Sequence, residues 1–178
     1  SSNLDFTFYP NVPANGASNQ WRMEIRDSES DTDADGVPDL VGEYSLTFDA
    51  TRTGGGTLAN VDFNDPLNPV GGPYDPVTGI LTIQVNGGPM DVNIGELGSS
   101  IGLTQLSDAF APVSIAKNGT PVGSLTSIEV DQNGFVRASF DIGINRVLYQ
   151  IPLVDVPNVN GLETLDQQSF RVTPESGS

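Results

Sequence analysis

Polar and apolar residues alternate along nearly the whole chain, and this period limits its fold more than any other feature. Alternate side chains of an extended strand face one side, whereas a helix needs apolar positions three and four residues apart. Leu4, Phe6 and Phe8 alternate with polar residues, as do Trp21, Met23 and Ile25, then Tyr44, Leu46 and Phe48. Leu81, Ile83 and Val85 continue the pattern, followed by Met90, Val92 and Ile94, by Ile128 with Val130, by Val136 with Ala138 and Phe140, and by Val147, Tyr149, Ile151 and Leu153. Five Asn-Gly pairs, starting at Asn15, Asn86, Asn118, Asn133 and Asn160, supply the positive φ angles of tight hairpin turns. The clearest hairpin runs from Ile128 to Val136. Only Leu97 to Leu106 has an ambiguous period, and Gly98 and Gly102 limit it to one or two helical turns. The expected fold is all-β: one or two antiparallel barrel- or sandwich-like domains joined by short linkers, with little helix.

The pattern breaks between Asp49 and Gly79 into Gly54-Gly-Gly56, Asp65-Pro66, Asn68-Pro69 and Gly71-Gly-Pro73, which predicts an elaborated surface loop with one strand around Leu58 to Phe63. A second seam lies near Ala111-Pro112 to Asn118-Gly119. These breaks divide the chain into an outer β domain, 1–115, with long acidic and Gly/Pro-rich loops, and a second β domain over 116–178.

Charge narrows the partners. Seven Lys and Arg stand against 23 Asp and Glu, a net charge of −16, which repels phosphate backbones and anionic headgroups. Nucleic acid and membrane surfaces are therefore excluded as partners. No apolar run reaches the roughly 18 to 20 residues of a membrane span, and Ser1-Ser2-Asn3 lacks the blocks of a signal peptide, as expected of a processed chain or a piece of a longer one. With 37% hydrophobic residues, the chain buries a core without metal or disulfide.

There is no His and no Cys, which removes the commonest general base, the commonest transition-metal ligand and the thiol nucleophile. Paired carboxylates could hydrolyse glycosides, but that chemistry needs an aromatic sugar cleft, and the single Trp21 stands in phase with the core positions Met23 and Ile25. No serine or threonine has a base beside it in sequence. No catalytic residue is assigned, and the chain reads as a non-enzyme.

One motif points to an ion. Asp31, Asp33, Asp35 and Asp39 occupy positions 1, 3, 5 and 9 of a loop with Gly36 at position 6 and the Val37 carbonyl at 7. Calcium loops use that spacing because alternate side chains converge on a hard cation while Gly permits the sharp turn. Position 12, where a bidentate Glu belongs, is Gly42, and Glu43 falls one residue late. The candidate calcium ligands are thus Asp31, Asp33, Asp35, Val37, Asp39 and Glu43; the same residues also suit an acidic, solvated turn. No cofactor is required, and calcium is the one ion the sequence suggests.

The last third runs Gly119-Thr-Pro-Val-Gly123-Ser-Leu125, Ile128-Glu-Val-Asp131-Gln-Asn-Gly134-Phe-Val136, Arg146-Val-Leu-Tyr-Gln150-Ile-Pro-Leu153, Asn160-Gly161-Leu162 and Phe170-Arg-Val-Thr173-Pro-Glu-Ser176-Gly177. The order and spacing of these pieces resemble the exposed β domains of the bacterial flagellar hook protein. Leu4 to Tyr9 with Asn19-Gln-Trp21, Leu46-Thr-Phe-Asp49 and Leu103-Thr-Gln105 resemble earlier segments of that family, while 28–42 and 53–79 depart from it, as does Asp166-Gln-Gln-Ser169 on a smaller scale.

The resemblance implies a structural subunit that self-assembles into the flexible tubular joint between flagellar motor and filament. It further implies type III export, an extracellular location distal to the basal body, and partners that are copies of itself and other axial proteins. Members of that family carry helical, coiled-coil termini, and this chain has no heptads, so it is expected to be a central β fragment, monomeric alone. Arg22, Arg26, Arg137 and Arg146 are the scarce cations available to pair with a neighbour's carboxylates, or else to solubilise the surface. The alternatives are a calcium-stabilised β module of a secreted or surface adhesin, and a sibling rod or hook-associated protein.

Overall fold

A computed structural model describes residues 3–11, 19–105, 113–130, 132 and 134–142. Over these it has ten strands and no helix: β1 (Asn3–Pro10), β2 (Gln20–Asp27), β3 (Asp39–Asp49), β4 (Thr57–Phe63), β5 (Ile80–Val85), β6 (Gly88–Asn93), β7 (Ser114–Lys117), β8 (Thr120–Pro121), β9 (Ser124–Val130) and β10 (Val136–Asp141). They form a six-stranded sheet, β4-β3-β2-β1-β10-β9, and a four-stranded sheet, β5-β6-β7-β8, with every pairing antiparallel and neither sheet closed. The all-β, sandwich-like expectation is borne out.

The alternation read from the sequence is the burial pattern. Leu4, Phe6 and Phe8 on β1, Met23 and Ile25 on β2, and Tyr44, Leu46 and Phe48 on β3 point to one side and are buried, with Ala138 and Phe140 continuing that face across β10. Phe6 and Phe140 meet edge to face at 5.2 Å. Leu81, Ile83, Met90, Val92, Ile94 and Ile115 form the matching face of the second sheet. Each such side chain contributes about 1.5–3 kcal/mol by leaving water, so the two apolar faces account for most of the driving force.

Both described Asn-Gly hairpins form: Asn86-Gly87 joins β5 to β6, and Asn118-Gly119, at φ +51° and +77°, joins β7 to β8. Val130 pairs with Val136 across the β9–β10 hairpin, whose turn residues Asp131 and Asn133 lie outside the described residues. The turns at Asn15 and Asn160, the run Val147 to Leu153 and the family-like pieces from Arg146 onward lie outside the described residues.

The Gly/Pro excursion contains the predicted strand, β4, and then does more than decorate the surface. Residues 64–79 lie against both sheets: Glu43 N–H bonds the Val70 carbonyl at 3.1 Å, Gly72 N–H bonds the Thr82 carbonyl at 2.7 Å, and the Tyr44 hydroxyl donates to the Gly72 carbonyl at 2.6 Å. Gly71, at φ +96°, passes so close to the Tyr44 hydroxyl that no Cβ fits. Leu97 to Gln105 is likewise not helical; it runs beside β4, with Thr57 and Thr104 forming an isolated bridge. The six-stranded sheet also crosses the boundary expected at 115–116, since β9 and β10 come from beyond it and β10 pairs with β1.

Candidate functional site

The acidic loop links β2 to β3 and satisfies itself locally. Asp31 accepts the N–H groups of Gly36 at 2.9 Å and Asp35 at 3.1 Å, Asp35 accepts Val37 N–H at 2.8 Å, and Asp39 accepts the Ser30 hydroxyl at 2.6 Å and Thr32 N–H at 3.0 Å. Short polar side chains folding back on their own backbone are what hold such a loop. The Ser30 hydroxyl and the Thr32 N–H hold Asp39 below its ordinary pKa, outweighing partial burial. At Asp33 the Asp35 N–H pulls the pKa down, but desolvation, the charges of Asp35 and Asp31, and a hydrogen bond with Asp31 together raise it.

Of the six candidate ligands, three converge: Asp31, Asp33 and Asp39 each place a carboxylate oxygen within 4.8 Å of the others. Asp35 is not in that group, and Val37 contributes its N–H to Asp35. Glu43 lies away from it, on β3 opposite Glu24, 4.0 Å from Arg22 Nε and accepting from the Asn64 amide at 3.2 Å. The geometry explains the missing twelfth ligand. Gly42 is buried where the sheets meet, and a Cβ there would stand 3.1 Å from Ile25 and Tyr44 and 3.3 Å from Ile83. A Glu at 42 would enter the core, and Glu43, one residue on, faces the other side of the sheet.

That other face carries a charge ladder. Arg22, Glu24 and Arg26 alternate along β2, and Glu24, only 9% exposed, lies 3.4 Å from Arg22 and 3.5 Å from Arg26. Arg22 also stacks 4.3 Å over the Tyr9 ring, and Arg26 donates to the Pro38 carbonyl at 2.8 Å. Both arginines are therefore engaged within their own sheet, as the spacing Arg-x-Glu-x-Arg on a strand permits. Arg137 stands opposite Glu129 in register, and Arg146 lies outside the described residues.

One buried structural carboxylate had no signal in the sequence. Asp27, 1% exposed, accepts Glu29 N–H at 3.1 Å and, across the seam, Asn86 N–H at 3.0 Å, so it ties the β5–β6 turn to β2. Its partner lies 59 residues away, beyond any local pattern.

The sheet edges differ. Beside β4, Gly98 N–H bonds the Leu58 carbonyl at 2.8 Å and Gln105 N–H bonds the Gly56 carbonyl at 2.8 Å, while the Gln105 side chain accepts from the Trp21 indole at 3.1 Å. The β5 edge is covered by Gly72 and Asp75, and β8 is two residues long and ends in Pro121. Strand β9 pairs on one side only among the described residues, and all seven of its residues are exposed.

No family model and no solved structure matches the chain. It is 39% identical over 88 residues to the flagellar hook protein FlgE of Caulobacter vibrioides, covering 49% of this chain and 15% of that protein. It is 32% identical over 110 residues to FlgE of Brucella suis, covering 58% and 27%, and 25% identical over 178 residues to FlgE of Treponema pallidum, covering 91% and 38%. The chain thus spans well under half the length of each relative. The resemblance read from the sequence is borne out: over the stretches it matches, the chain is similar to the bacterial flagellar hook proteins.

Proposed function

We propose that the chain is the β-rich part of a structural subunit of the flagellar hook, which assembles with copies of itself and with other axial proteins into the flexible joint between motor and filament, outside the cell. The observation that carries this reading is sequence similarity to hook proteins of several bacteria, reaching 91% of the chain. The relatives take their name from a structural part, which supports a non-catalytic role and favours the hook over a rod protein or an adhesin module. The physical design agrees. A joint that bends needs rigid subunits with polar, separable surfaces, and two packed sheets with the Arg22–Glu24–Arg26 ladder on an outer face supply both. Antibodies raised against this chain should label the segment between basal body and filament in immunogold micrographs; label confined to the filament or the cell body would sink the reading.

For the acidic loop we propose a weak calcium site made by Asp31, Asp33 and Asp39 and completed by water. Three convergent carboxylates support it, and calcium takes about 6–8 oxygens, so affinity is low. A melting temperature raised slightly in millimolar calcium relative to chelator, with the rise abolished in Asp33→Asn, is expected; identical curves would remove the site.

A further inference from the structure

We propose that the bare β9 edge is one half of a head-to-tail contact between copies of this chain, whose other half is the Leu97–Ile101 turn at the opposite edge of the same sheet. The proposal rests on the hook reading and adds the surface that reading lacks. Unpaired edges invite another chain, and proteins ordinarily cover them. Here the β4 edge is covered by 97–105 and the β5 edge by 72–75, while β9 offers free N–H and C=O groups among the described residues.

The side chains agree with the backbone. Leu125, Ile128 and Val130 pair with Phe140, Ala138 and Val136, so the apolar face of the sheet continues onto β9, where those three side chains are 45%, 41% and 68% exposed. The covering turn at the far edge exposes Leu97 at 39% and Ile101 at 77%. Strand β9 and the β4 edge that the turn covers are separated by five strand spacings, about 24 Å.

Charge selects a second copy as the occupant. Identical chains at −16 repel wherever their acids face each other. Residues 97–107 carry no charge, residues 109–128 carry only Lys117, and Glu129, the one charge of β9, stands opposite Arg137 in register. Two patches on opposite edges also dictate the mode of contact. Joining β9 to β9 closes a pair and stops, whereas joining β9 to the Leu97–Ile101 turn leaves a free patch at each end and propagates, as a tube requires.

The chain has no cysteine, so single-cysteine variants report contacts cleanly. Val130→Cys and Ile101→Cys proteins, mixed in equal amounts at millimolar concentration with a short bismaleimide, should give the mixed product in about tenfold excess over either same-site product. Adding Ile128→Glu to the Val130→Cys protein should suppress that product while its urea midpoint stays unchanged. An excess of the Val130–Val130 product would overturn the head-to-tail contact in favour of a two-fold one. A Val130→Cys thiol that resists maleimide in dilute solution would show β9 covered by this chain's own remaining residues and would overturn it too, as would the lack of any product above a dilute control. Immunogold labelling of the hook is independent of all these results, so failure of this contact and failure of the hook reading are told apart.

Discussion

The seam between the two sheets and the acidic loop beside it adjoin in sequence, since Asp27 and Gly42 bracket the loop, yet they are held in different ways. Every hydrogen bond described for the side chains of Asp31, Asp33, Asp35 and Asp39 closes within nine residues, as from Asp31 to Gly36 or from Ser30 to Asp39. The seam depends on distant partners: Tyr44 reaches Gly72, 28 residues on, and Asp27 reaches Asn86, 59 residues on. Local bonds are exchanged for water at little net gain, whereas groups buried at a seam are costly to leave without partners. Stability should therefore be concentrated at the seam, leaving the loop free to vary.

Substitutions at the seam should show the largest effects. Gly71→Ala forces a side chain into the left-handed region and against the Tyr44 hydroxyl, and urea denaturation should record a loss of about 3 kcal/mol. Asp27→Ala removes the acceptor of the Asn86 N–H, and the same measurement should give about 2 kcal/mol, with faster hydrogen exchange at Asn86. If either variant unfolded at the wild-type midpoint, the seam would not be where stability resides. In the loop, Asp33→Asn without calcium should leave the midpoint unchanged or slightly raised, because the folded loop already disfavours that charge.

Titration gives the finest distinction. Side-chain hydroxyls at Asp39 and Asp49, the Asn68 amide at Asp65, and backbone donors lower the pKa of all three below 3.8, so their contribution is present above that value and is lost as pH falls through their lower folded values. Asp33 has the opposite sign: its raised pKa means that it costs stability once ionised and that acid removes the cost. Carboxyl carbon shifts followed by NMR should place three of these groups below 3.8 and Asp33 above it. A common midpoint for all four would show that the hydrogen bonds of the loops do not persist in solution.

Strands and tight turns were legible because their causes are local. Leu4-x-Phe6-x-Phe8 states which face is buried, and Asn118-Gly119 states where the chain reverses. Half of the acidic ladder was legible for the same reason, and Asp31, Asp33 and Asp39 do converge. Glu43 was misplaced because a strand begins inside the loop motif at Asp39, and two-residue alternation then sends Glu43 to the charged face and Gly42 to the core.

Sequence alone determined the class, the described hairpins, the lack of His and Cys and the similarity to hook proteins, all of which are written in side-chain period, turn chemistry, composition and residue order. Tertiary structure decided that residues 64–79 fasten the two sheets together, that Asp27 is buried against Asn86, and that β9 is the edge left open among the described residues. Each of those depends on which segments, tens of residues apart, come to lie side by side. A burial or hydrogen-bond energy is assigned only once that neighbour is present.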